Sequence, residues 1–187
     1  MLECRFMKRA VLWDLDGTLV DSEELHWQAW VETMAAEGLP LTRRQFLDTF
    51  GQRNDSFVPR WLGAAATPER VRRVGEEKEA RYRRLVLAHG LAPLPGAAAW
   101  VARLAAAGWA QAIASSAPRL NAQTMLQALG FPPFAALVAA EDVRAGKPDP
   151  EVFLAAAARL GVEPACCVVD RKSVVLGNSV DVGGRRM

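Results

Sequence analysis

Residues Ala10–Trp13 form a short apolar run that stops abruptly at Asp14-Leu15-Asp16-Gly17. An apolar run of this length, closed by a turn signal, predicts a buried strand feeding a tight loop. In open parallel sheets ligands bind beyond the carboxyl ends of the strands. Two carboxylates at such an end therefore constrain both the architecture and the place where chemistry can occur.

Beyond Asp21 the pattern changes. Trp27, Trp30, Val31 and Met34 recur at helical spacing, with Asp21 or Ser22 as N-cap and Gly38 as the stop. Further helices are predicted over 42–50, 55–62 and 67–89, the last opening on Thr67-Pro68-Glu69, a cap with proline in the first helical position. From residue 97 helices and strands alternate: helix 97–107, strand 109–114, helix 119–129, strand 135–139, helix 150–160 and strand 165–169. This alternation implies βαβ units and a parallel sheet. The helical stretch from Asp21 to about His89 interrupts it and is expected as an insertion packed over one end of the sheet. Trp27 and Trp30 are expected in the core of that insertion. The Arg-rich stretch Arg70–Arg84 reads as a solvated helix face.

Composition narrows the class. The chain has 187 residues, 51% of them hydrophobic and 24% charged, which is enough apolar material for a real core. A net charge of +2 carries no footprint for nucleic acid or a membrane surface. No apolar run approaches the ~20 residues of a membrane helix, and the N-terminus lacks a signal-peptide core, Met7 being an equally good start. A soluble cytoplasmic protein is expected. The three cysteines, Cys4, Cys166 and Cys167, do not form a disulfide framework; the adjacent pair is expected as buried reduced thiols in a strand.

The predicted strand ends bring together one inventory. Asp14 and Asp16 follow the first strand, and Ser115 and Ser116 the second. Gly146-Lys147-Pro148-Asp149-Pro150 precedes a helix, and Asp170 ends the last strand. Such a set suits phosphoryl transfer through a divalent cation. A carboxylate can attack phosphorus, and Mg2+, held by oxygen ligands, offsets the repulsion between anions. Lys147 offers a compact positive charge. Ser115 and the backbone N–H groups near it can hold phosphate oxygens at the start of the helix that begins at Arg119. Asp16 can protonate a leaving alkoxide and later deprotonate water.

The run Asp14–Ser22 resembles the first motif of the haloacid dehalogenase superfamily, DxDGT followed by LVDS. The order of Ser115 and Gly146-Lys147-Pro148 is similar to that family's too, over about 8–170. The branch of beta-phosphoglucomutase-like enzymes resembles it most, His26 included. The resemblance implies a Rossmann-like three-layer α/β sandwich with a parallel sheet and an inserted α-helical cap. It places the core at 8–20 and 91–170 and the cap at 21–90. It implies Asp14 as nucleophile, Asp16 as acid/base, Lys147 as catalytic cation, and Mg2+ held by Asp14, Asp16 (through its carbonyl) and Asp170. Thr18, Ser115 and Ser116 are implied as substrate-binding residues. His26 is a hinge residue, a substrate contact or an ordinary first-turn helix residue; Arg53 is a substrate-phosphate contact from the cap or a surface arginine. The expected reaction is Mg2+-dependent dephosphorylation of a small phosphorylated metabolite, a sugar phosphate among the candidates, with a sugar-phosphate mutase as the alternative.

The family's fourth motif calls for an acidic pair after Val169, and here Arg171-Lys172 follows Asp170. Residues 171–187 resemble the translation of a sequencing-library adapter. A gene truncated near Asp170, with the C-terminal part of the core missing, is therefore an expectation, as is its consequence, a non-catalytic remnant. Asp170 is then either a metal ligand or a junction residue.

Overall fold

The computed structural model describes residues 8–170. The expected tail at 171–187 and the alternative start at Met7 lie outside the described residues. Strand β1 (Ala10–Trp13) is central in a four-stranded sheet with β2 (Ala110–Ala114), β3 (Ala136–Val138) and β4 (Cys167–Asp170). The order is β3-β2-β1-β4 and every pairing is parallel. The chain runs outward from β1 through β2 to β3, then returns to the opposite side of β1. That reversal opens a crevice at the carboxyl ends of β1 and β4, where Trp13 is in register with Asp170.

The alternation of side chains along each strand sorts the core into two layers. Val11, Trp13 and Ile113 point to one face, where they pack with Val101 and Met125 from helices α5 (Ala97–Ala106) and α6 (Arg119–Leu129). Ala10, Leu12, Ala112 and Ala114 point to the other face and meet Val152, Phe153 and Ala156 of α7 (Glu151–Leu160). The sheet is thus covered on both sides, the Rossmann-like arrangement expected from its βαβ pattern. Small residues on β1 and β2 facing α7 let that Ala-rich helix approach closely.

The insertion consists of α1 (Glu23–Ala36), α2 (Arg43–Leu47), α3 (Asn54–Leu62) and α4 (Pro68–His89). It carries its own apolar cluster, centred on Trp30, Met34, Phe46, Phe57 and Val74. Trp30 and Trp61 meet edge to face with centroids 5.0 Å apart, so the tryptophans serve the cap core. Local chemistry sets the helix starts. The Thr42 hydroxyl and the Gln45 side chain cap each other around α2. The Thr67 hydroxyl accepts from Arg70 N–H, with Pro68 next in the chain.

Several expectations are corrected. The predicted helix 42–50 is only one turn and a half of α-helix, Arg43–Leu47, after which the backbone tightens into turns, with Thr49 N–H donating to the Phe46 carbonyl at 3.0 Å and Gln52 N–H to the Thr49 carbonyl at 3.0 Å. The last strand starts at Cys167, since Pro164 opens a 3-10 turn over Pro164–Cys166. Cys166 is buried in that turn, and Cys167 is a half-buried free thiol. The pair therefore does not form two buried strand thiols. Ser22 sits at the N-cap position of α1, but its side chain does not cap the helix.

Candidate active site

Strand β1 ends by projecting Asp14 into the crevice, and the chain then folds back on itself. Gly17 takes φ 70°, a left-handed conformation that lets the loop reverse. Gly17 N–H then donates to the Val20 carbonyl at 2.8 Å. Asp14 is held from both sides. Its N–H donates to the Asp170 carbonyl at 2.9 Å. Its Oδ1 accepts from Leu15 N–H at 2.8 Å and lies 2.5 Å from Lys147 Nζ. Lys147 reaches in from the loop ahead of α7 and also donates to the Ala114 carbonyl at 2.9 Å. Burial pushes the Asp14 carboxyl above its ordinary value, outweighing the pull of the Lys147 charge.

Asp16 is served by a different set of groups. The Ser22 hydroxyl donates to its Oδ1 at 2.5 Å, and His26 Nε2 lies 3.1 Å from the same oxygen. Behind His26, Lys78 Nζ contacts Nδ1 at 2.8 Å. An ammonium can only donate, so Nδ1 is the acceptor and the ring proton sits on Nε2, donated to Asp16. The ring is stacked on Tyr82 with centroids 3.8 Å apart. Burial pushes the Asp16 carboxyl up, but the His26 hydrogen bond, Ser22 and the Lys78 charge together bring it below its ordinary value. Burial and then the Lys78 charge lower His26, which matches its neutral state.

Lys78 continues the chain of contacts. It pairs with Glu79 at 3.0 Å, and both side chains are buried. Glu79 also accepts from Asn54 of α3 at 2.7 Å and from Asn121 of α6. Arg83 donates to Asn121 Oδ1 at 2.7 Å. The solvated-face reading of Arg70–Arg84 is therefore corrected. Lys78, Glu79 and Tyr82 form a buried polar face of α4 that joins the cap to the core. Their charge concealed them, because a Lys-Glu pair in an Arg-rich helix looks like surface. The signal that could have found them is their spacing from Val71 and Val74, which places 71, 74, 78 and 82 on one helix face.

Asp14, Asp16, His26, Arg53 and Ser116 line one cavity of about 820 Å³ between cap and core. Ser115 is fully buried behind it, its Oγ accepting from Ala117 N–H at 3.0 Å. Lys147 likewise reaches Asp14 from the core side. Thr18 and Asp170 are not among the cavity-lining residues. The Asp170 side chain is exposed, while its backbone carbonyl holds Asp14. Two further placements differ from expectation. Arg119 N–H, at the start of α6, donates to the Glu141 carboxylate at 3.0 and 3.1 Å, so that N–H is already engaged. Arg53 is anchored on the carbonyls of Ala140 and Val143, at 3.1 and 3.2 Å, and on Asp55.

Among the described residues no three His, Cys, Asp or Glu side chains cluster as a ready metal cage. The donors at β1 nonetheless suit a hard cation. The hydrogen bonds to Asp14 and Asp16 fall on Oδ1 in both carboxylates. Among the described residues the Asp16 carbonyl accepts no backbone hydrogen bond. Oxygen atoms of this kind fit Mg2+. No described helix is long and apolar enough to cross a membrane.

A buried carboxylate paired with a lysine, with a second carboxylate two residues on, under a helical insertion, defines a class of group-transfer hydrolase. The chain belongs to the haloacid dehalogenase-like hydrolase family, whose model matches residues 8–170. Hexitol phosphatase B of Escherichia coli (strain K12) is 34% identical over 168 residues, covering 88% of this chain and 75% of the relative. The structure of beta-phosphoglucomutase from Clostridium difficile aligns with a TM-score of 0.79 at 25% identity, covering 87% of this chain and 75% of that one. CbbY from Rhodobacter sphaeroides, in complex with xylulose-(1,5)bisphosphate, aligns with a TM-score of 0.77 at 28% identity, over 87% and 77%.

Proposed function

We propose that this hydrolase is a Mg2+-dependent phosphatase of small phosphorylated metabolites, working through an aspartyl-phosphate on Asp14. The observation that carries the reading is the asymmetry at Asp14. One oxygen is held by Lys147 at 2.5 Å and by Leu15 N–H, while the residue itself opens onto the cavity. The oxygen not so held attacks phosphorus as the bond to the leaving oxygen breaks. The negative charge of the arriving phosphate favours a proton on Asp16 at the oxygen that Ser22 and His26 leave free, and the leaving alkoxide takes that proton. In the second half a water attacks phosphorus and gives its proton to the Asp16 carboxylate, held by His26 and Ser22, while the P–O bond to Asp14 breaks, so that the Asp14 carboxylate is regenerated and inorganic phosphate leaves.

The Asp14 carboxylate, through the oxygen that does not attack, and the Asp16 carbonyl would hold the Mg2+, with the exposed Asp170 carboxylate proposed as a further ligand from its place at the end of β4 beside β1. When bound it supplies charge neutralisation that lets the anionic nucleophile approach an anionic phosphate. Lys147 spreads the same charge from the other side. Ser115 shapes the loop that presents Ser116 and the backbone N–H groups to the phosphate, and Thr18 supports the turn behind Asp16. His26 acts as the link between Asp16 and Lys78. Arg53 acts as a tie between cap and core. The division into a core of 8–20 and 91–170 and a cap of 21–90 is part of this proposal.

The test is release of inorganic phosphate from a generic phosphomonoester, with and without Mg2+, on the full chain. Turnover should require the metal, vanish with chelator and return with Mg2+. Acid-quenched samples should carry a phosphoryl group on the peptide containing Asp14. Metal-independent turnover, or a label elsewhere, would overturn the mechanism.

A further inference from the structure

The cavity extends well past the point where a phosphate would be attacked. Its wall follows α4 from Thr67 to Lys78, about 16 Å at a rise of about 1.5 Å per residue. Two independent features of that extension describe what it can hold.

The first is charge. Besides Asp14 and Asp16, the lining has the cations Arg53, Arg72, Lys78 and Arg83 and the acids Asp55, Glu76, Glu79 and Glu141. Each cation is already engaged. Arg53 is tied to two backbone carbonyls and Asp55. Arg72 contacts both oxygens of Glu76, at 3.0 and 3.1 Å. Lys78 is shared between His26 and Glu79, and Arg83 is held by Asn121. A second phosphate placed here would meet as many carboxylates as cations, with Arg83 held only by the neutral Asn121.

The second feature is the apolar wall. Phe50, Pro59, Ala66 and Val71 are half-buried and line the same cavity. Gly75 lies between the Val71 end and the Lys78 end, one helical turn from each. It is buried in the middle of α4 and does not have a positive φ, so its backbone makes no demand for glycine. A glycine inside a helix is destabilising relative to alanine. A Cβ there would come to 3.4 Å from Asn54 Nδ2. Gly75 and Asn54 line the same cavity.

We infer that the substrate is a phosphomonoester whose far end is uncharged and carries an apolar segment, and that a second phosphate is disfavoured. The inference rests on the phosphatase reading above and deepens it. It separates this chain from the CbbY structure that holds a xylulose bisphosphate. It also counts against a mutase, which would have to hold a bisphosphate intermediate.

The test compares three substrates of the full 187-residue chain in Mg2+: ethyl phosphate, hexyl phosphate, and hexanediol phosphorylated at both ends. Hexyl phosphate should exceed ethyl phosphate in kcat/KM by about tenfold or more, as added methylenes enter an apolar pocket. The bisphosphate should fall about tenfold or more below hexyl phosphate, because its second charge meets a lining in which carboxylates match the cations. A flat response from ethyl to hexyl, or a bisphosphate that equals or beats the monoester, overturns the inference while leaving the phosphatase reading intact. If none of the three compounds is hydrolysed, the phosphatase reading fails. Calorimetric binding of the same three compounds then decides the inference separately: hexyl phosphate should bind tightest, and tightest binding by the bisphosphate would sink it.

Discussion

The core half of the site and the cap half hold their charges differently. In the core half, Lys147 is the one cation among the described residues that Asp14 meets, and one carboxylate oxygen is left for chemistry. In the cap half, His26, Lys78, Glu79 and Asn54 form a continuous chain in which each member satisfies the next, tied to the core through the catalytic Asp16 at one end and Asn121 at the other. A group kept partly unsatisfied is available to react. A group whose partners are all in place is a structural element, and removing one member strands the others. The difference separates where the reaction occurs from what holds the two layers together.

The sharpest way to break this comparison is Asp14→Asn. Turnover should fall on the order of 10⁴-fold or more, while thermal unfolding shifts little, since an uncharged side chain can occupy the same buried position. Phosphate release and calorimetric Tm measure both; a collapsed Tm would place Asp14 in the scaffold as well. Lys78→Met should show the reverse balance. It leaves Glu79 buried without its cation and removes the donor to His26 Nδ1, costing about 3 kcal/mol of stability. Tm should drop by several degrees, and if it does not, the cap half is not the scaffold described here.

A smaller effect belongs to the seam between the halves. A Cβ on Gly146 would lie 2.6 Å from Arg53 Cδ and 3.0 Å from its Cγ. Gly146→Ala should therefore cost about 1–3 kcal/mol of overpacking, or push Arg53 off the Ala140 and Val143 carbonyls. The double variant with Arg53→Ala should recover part of that loss. Simple additivity of the two effects would show that they do not meet.

The smallest effect lies far from the chemistry. Arg159, with the Ala139 N–H and Arg119, holds the Asp142 carboxyl down at about 2 against an ordinary value of 3.8. A depressed acid contributes stability above its unfolded value and loses it as pH falls through the folded one. Asp142→Asn should thus flatten the fall in Tm between roughly pH 4 and pH 2, by no more than about 1 kcal/mol after solvent screening. An unchanged acid limb would assign that limb to other carboxylates.

Much of the core half was legible in the chain itself. The apolar run Ala10–Trp13, followed by two acids and a glycine, leaves few options, because a buried strand and a tight turn are both local events. The strand and helix alternation after residue 97 is local in the same sense, and it led to the parallel sheet that β1–β4 form. Lys147 could be expected from its motif, although its contact with Asp14 spans 133 positions, taken as 147 minus 14.

The cap half was not legible in this way. Lys78 and Glu79 sit among arginines and glutamates, and sequence alone reads such a helix as solvated. Burial of an ion pair is decided by which face of α4 packs against α1 and α6, a property of the assembled layers. Ser22 reads as a helix cap until Asp16 folds back within 2.5 Å of it. The α6 terminus reads as an open anion site until Glu141 arrives from another loop. Sequence by itself determined the strand, the turn and the pair of acids at Asp14 and Asp16, since these depend on neighbours along the chain. Tertiary structure decided which charges are spent on one another and which are left to act, since that depends on partners that meet only when the layers close.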